Sequence, residues 1–183
     1  GLRSALWTVH VLNFLDSITK QRLTKQTHLI TGASGGMIGA AFYRENYKKG
    51  IYGETMVNGN EMKRRISKDL LNPLAFSIAT TDMFYRFKKH DDGKYIYTKD
   101  RGWFFEKNLI ENLNCFEGKR ILDYKLPEYH SDIPMMIFSP SVVNDGRRLL
   151  ISPQKITFLC NTDTSLFSGK IALENIEFST LFN

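Results

Sequence analysis

The sequence predicts an α/β domain with a mainly parallel sheet flanked by helices, and three observations carry that reading. Residues 27–31 read as a short apolar strand that runs into a glycine-rich turn and then a helix. Pro134 introduces Met135, Met136, Ile137 and Phe138, a continuous apolar run that suits a strand buried on both faces. Helical patterns lie between these strands, and helices alternating with strands imply parallel pairing.

The elements follow in order. Residues 4–19 have apolar residues at helical spacing, with Ser4 as the expected N-cap. The apolar face is broad, so this helix is expected to be well buried. Residues 20–25 form a polar connection, residues 27–31 the first strand, and residues 35–48 the next helix. That helix opens on Gly35, Gly36 and Gly39, each costing about 1 kcal/mol against alanine. Such a cost implies a backbone that must come very close to the sheet or to a ligand. Two helices are expected at 60–71 and 74–87, a turn at 90–93, a short strand at 94–98 and a helix at 103–113. Asn144, Asp145 and Gly146 sit between apolar runs, a strong hairpin signal. A last strand is expected at 156–160.

At 183 residues the chain is long enough for one domain with a sizeable core. Its two cysteines, Cys115 and Cys160, make neither a disulfide framework nor a metal site, and both are expected to be buried thiols. No apolar run is long enough to span a bilayer. The net charge of +6 is scattered, as on an ordinary solvated surface. Residues 83–89 are different, because aromatics interleave with cations there, which suits peripheral contact with an anionic membrane. No nucleic-acid-binding motif accompanies the charge.

The functional signal is Gly32-Ala33-Ser34-Gly35-Gly36 between strand and helix. A serine at the apex of Gly-x-Ser-x-Gly projects its hydroxyl into a cleft, and the following helix points amides at it. A dinucleotide fingerprint would need glycine at position 38, which is Ile38. The Tyr-x-x-x-Lys pairs of short-chain dehydrogenases, here Tyr85/Lys89 and Tyr95/Lys99, lie too close to the glycines. A Ser–His–Asp triad would draw on His90 or His130, neither in a distinctive context, whereas His10 and His28 read as packed or hydrogen-bonded structural residues. Without catalysis, Ser34 would serve as a helix N-cap.

Gly1-Leu2-Arg3-Ser4, a helix, a strand and then Gly32-Ala33-Ser34-Gly35-Gly36 resemble the patatin-like phospholipases. Residues 134–152, a strand, a turn with Gly-Arg and another strand, resemble that family's next region. The middle, 50–130, resembles a stretch of patatin-like proteins from Bacteroidota. Position 4 departs, because the family has glycine where this chain has Ser4. The resemblance implies a single, incomplete patatin-like domain over 1–183. Residues 1–49 would hold the oxyanion loop remnant, elbow and helix, 50–133 a mostly helical insertion, and 134–183 strands with a hairpin.

It further implies a serine acyl hydrolase acting on lipid or phospholipid acyl esters through a Ser–Asp dyad and an acyl-enzyme, with no cofactor or metal. Ser34 would be the nucleophile. Gly1, Leu2, Arg3 and Gly35 would line the oxyanion and substrate site, with Gly32 and Gly36 completing the elbow. The family's base lies in an Asp-Gly turn, which Asp145-Gly146 nearly matches. The hairpin setting argues for a turn role instead, so the base is expected beyond Asn183. The rival reading is a non-catalytic module that binds lipid or a membrane surface and keeps the elbow for structure.

Overall fold

A seam of glycines joins the two longest helices, and this seam positions everything around the elbow. The computed structural model describes residues 1–82, 89–91, 93, 96–160 and 175–181. Most of the aromatic and basic stretch at 83–89 lies outside them, as do the end of the expected helix at 74–87 and the start of the expected strand at 94–98. The described chain is mixed α/β and divides into two compact units, Gly1–Gly59 with Lys119–Asn183, and Asn60–Gly118.

In the first unit, α1 (Leu2–Ile18) is followed by one short turn of helix, α2 (Leu23–Gln26), by β1 (Leu29–Gly32) and by α3 (Ser34–Ile51). The expected N-cap, Ser4, is instead inside the first turn. Gly1 holds the cap position, and its carbonyl accepts from the N–H groups of Ser4 at 3.0 Å and Ala5 at 3.3 Å. The first strand starts later than expected because Thr27 closes α2. Its N–H donates to the Thr24 carbonyl at 3.3 Å and its hydroxyl to the Leu23 carbonyl at 2.8 Å.

The glycines of α3 explain their own cost. A Cβ on Gly35 would overlap the Gly1 carbonyl, and one on Gly39 would overlap the Ala5 carbonyl. The close approach is therefore to the backbone of α1, not to the sheet or to a ligand as the sequence led us to expect. Here α1 departs from expectation, since only Ala5 and Val9 are buried and Trp7, Phe14 and Ile18 are exposed. One neighbouring helix covers one side, and the broad apolar face has a second side. His10 and His28, expected to be packed or hydrogen-bonded, are both exposed, and the His10 ring lies with its centroid 6.0 Å from that of Trp7.

The second unit is mainly helical. It contains α4 (Gly59–Ile66) from its second residue on, α5 (Leu71–Ser77) continuing into a π turn (Ile78–Asp82), the antiparallel pair β2 (Lys89–Asp91) and β3 (Ile96–Thr98), and α6 (Arg101–Leu113). The helix expected over 60–71 is split because Asp69 starts a new one. Its carboxylate accepts from the N–H groups of Leu71 at 2.8 Å and Asn72 at 3.1 Å. Asp100 caps α6 in the same way through the Trp103 N–H at 3.0 Å.

The chain then returns to the first unit through α7 (Lys125–Tyr129) and β4 (Met135–Phe138), which pairs in parallel with β1, Ile30 opposite Met136. Strand alternation divides the core. Met136 packs with Met37 and Ala40, whereas Ile137 packs with Leu150 and Ile156. Burying Met136 completely is worth roughly 1.5–3 kcal/mol. The hairpin at Asp145-Gly146 forms as expected, with bridges Ser141–Arg148 and Phe138–Ile151 leading into β5 (Leu149–Leu150). β5 pairs in parallel with β6 (Ile176–Glu177), a strand the sequence did not signal. The strand expected at 156–160 is a 3-10 turn (Thr157–Leu159), closed by Leu159 N–H on the Ile156 carbonyl at 2.9 Å. Neither cysteine forms a disulfide among the described residues, and Cys160 is half-buried rather than buried.

Candidate functional site

The elbow is built by β1 ending at Gly32 and α3 beginning at Ser34 with no intervening loop. Ser34 takes φ +59°, the left-handed region that costs a residue with a Cβ about 1–2 kcal/mol. Its side chain is exposed, and its hydroxyl hydrogen-bonds no described residue. The helix-capping role is therefore not what holds it there. Ala33 occupies the cap position in extended conformation, without a side-chain cap bond. A strained, solvent-facing serine with an uncommitted hydroxyl has the conformation a nucleophile elbow requires.

Two helix N-termini meet beside it. Gly1, the cap residue of α1, abuts Gly35 in the first turn of α3, and Gly35 is buried. The first N–H groups of any helix lack intrahelical acceptors and carry the positive end of its dipole. Leu2 and Gly35 lie in the first turns of these two helices and so carry N–H groups of this kind. Arg3 is exposed and makes no ion pair with a described residue. Gly36 faces Ser4 and Thr8 of α1, and a Cβ there would sit 3.3 Å from the Ser4 Oγ, a tight contact that the side chain would have to yield to.

Asp145 lies elsewhere in the local chemistry. Its carboxylate is held by the next turn residue but one. The Arg147 N–H donates at 3.0 Å, Nε at 2.7 Å, and Nη2 lies 2.7 Å away. These contacts hold its pKa below the ordinary carboxylate value. Gly146 takes φ +76°, which closes the turn. Of the two histidines considered for a triad, His130 is exposed at the end of α7, and His90 lies on β2 against Trp103 with ring centroids 5.6 Å apart.

A cavity of about 300 Å³ lies between α1, α2, β1 and α3 and reaches the elbow through Gly32, Ala33 and Gly36. Leu12, Ile30 and Met37 make it apolar, and among the described residues no charged side chain lines it. Tyr43 lines it too, with its hydroxyl 3.0 Å from the Thr24 hydroxyl. Burial is the main cause that pushes the Tyr43 pKa up to about 12. The sequence did not signal this cavity, whose lining is spread over four elements.

Charged residues are also buried behind the elbow. Arg44 pairs with Glu128 and donates to the Pro134 carbonyl at 3.0 Å, while its guanidinium lies 4.6 Å from the Tyr124 ring centroid. Glu45 pairs with Lys119 and accepts from the Tyr124 hydroxyl at 2.7 Å. Burial raises the Glu128 pKa, with Arg44 opposing. These contacts tie α3 to α7 and β4, so they fix the helix that carries Ser34. Among the described residues no three His, Cys, Asp or Glu side chains gather as a metal site. No family model, curated protein or solved structure matches the chain.

Proposed function

We propose that the chain carries the nucleophile of a serine acyl hydrolase of the patatin-like kind, acting on lipid acyl esters. The left-handed, exposed Ser34 with its free hydroxyl is the observation that carries this reading. A folded chain retains such strain where the surroundings impose it, and functional sites are where it concentrates.

In this reading the Ser34 Oγ attacks the ester carbonyl while an aspartate takes its proton. The carbonyl oxygen becomes an oxyanion met by first-turn amides at Gly1, Leu2 and Gly35. One such donor is worth about 10²–10³ in rate. The aspartate then protonates the departing alcohol, and water releases the acyl group from Ser34. The uncharged cavity beside Gly32 and Gly36 supports an apolar acyl chain as the group held there. Asp145, bound by Arg147 in its turn, is assigned the turn and not the base.

The test is hydrolysis of p-nitrophenyl acyl esters by the full-length protein and by its Ser34→Ala variant, with phospholipid substrates alongside. Ester turnover lost in Ser34→Ala supports the proposal. Turnover equal in both overturns it.

A further inference from the structure

We propose that the outward face of α1 binds the surface of an anionic lipid bilayer. The helix is apolar on two sides. Ala5 and Val9 are buried on the side packed against α3. Trp7, Phe14 and Ile18 recur at spacings of seven and four, so they share the opposite side. They are 67%, 58% and 59% exposed. Arg3 and His10 flank them on the same face and are exposed too.

Charge selects the occupant. Residues 1–44 hold five lysines and arginines and one carboxylate, Asp16. Asp16 lies on the α3 side, where its charge acts on Tyr43 and Tyr47. The outward face therefore carries no acid. Lys20, Arg22 and Lys25 follow directly after α1, all exposed and none in an ion pair with a described residue. A second copy pairing through this face would bring these cations together with nothing to neutralise them.

Size points the same way. A 17-residue helix is about 25 Å long and about 10 Å wide, a strip of roughly 250 Å². Stable protein interfaces take about 800 Å² from each partner. A bilayer needs only side chains that penetrate the headgroup region, and a helix lying in the interface binds by apolar burial plus attraction to anionic lipid. Tryptophan favours that depth. No described helix is long and apolar enough to cross the membrane. This binding needs no chemistry at Ser34, so it stands independently of the hydrolase reading.

The experiment uses the tryptophans as reporters. The chain has two, so Trp103→Phe leaves Trp7 alone. Vesicles of phosphatidylglycerol and phosphatidylcholine should shift Trp7 emission to the blue, and brominated acyl chains should quench it. Phosphatidylcholine vesicles alone should do neither. Replacing Lys20, Arg22 and Lys25 together by glutamate should weaken co-sedimentation roughly a hundredfold or more, at about fivefold for each charge removed from the surface. Circular dichroism checks that this variant is folded. Unchanged Trp7 emission with anionic vesicles would overturn the proposal, as would equal binding to phosphatidylcholine. A blue shift that tracks protein concentration without lipid, with doubled mass in solution, would assign the face to a second copy instead.

Discussion

Replacing Ser34 by glycine should stabilise the protein while abolishing any acyl transfer. At φ +59° the serine Cβ pays about 1–2 kcal/mol for a left-handed backbone. Glycine has no such penalty but loses more backbone freedom on folding, which costs roughly 0.5–1 kcal/mol. The serine hydroxyl has no bond to lose. The net expectation is a gain of about 0.5–1 kcal/mol for Ser34→Gly over Ser34→Ala, since alanine keeps the Cβ. A chain of this size should show it as a rise of about 1–4 °C in Tm. Urea denaturation and thermal unfolding of the two variants measure it. If Ser34→Gly is the less stable of the pair, the elbow is not strained and the conformational case for a nucleophile falls.

Alkaline unfolding should depend on Tyr43. Its folded pKa of about 12 exceeds the ordinary 10.0, so the native state holds its proton more tightly. The resulting stability, about 2–3 kcal/mol, is present below pH 10 and lost as pH rises toward 12. Tyr43→Phe should flatten that part of the stability profile relative to the parent chain; an unchanged slope would contradict the buried, neutral phenol. Removing one partner of the buried ion pair, as in Glu128→Leu, should cost about 3–5 kcal/mol, whereas Arg44→Met with Glu128→Leu should cost much less. Equal losses in the single and double variants, read by urea denaturation, would show that Arg44 is not left uncompensated. Asp145→Asn should leave the rate of fluorophosphonate labelling within about twofold; a collapse in a folded variant would make Asp145 the base.

The elbow was legible because its requirements are local. A strand, a Gly-flanked serine and a helix with early glycines lie within a dozen residues, and Gly35 and Gly39 answer to backbone contacts that only hydrogen permits. The buried strand at Met136 and the hairpin at Asp145-Gly146 were legible for the same reason, by short-range pattern and turn chemistry. The helix start was not, because the cap is a backbone carbonyl on Gly1 and Ser4 only resembles a cap. Asp69 divided an otherwise continuous helical pattern with one carboxylate. The buried charges of Arg44 and Glu45 could not be read at all. Periodicity treats charged residues as solvent-facing, and their partners Glu128 and Tyr124 lie 84 and 79 residues away. The apolar run at 156–160 fits a strand as well as a turn, and tertiary packing of Ile156 decided it.

Peptide mass spectrometry after treatment with a fluorophosphonate ester addresses the central claim directly, since the reagent phosphonylates an activated serine and releases fluoride. The account predicts one adduct, on the Ser34 oxygen, that is absent from Ser34→Ala and from the urea-unfolded chain. A folded full-length protein that stays unmodified, or carries its adduct on another residue, would contradict it.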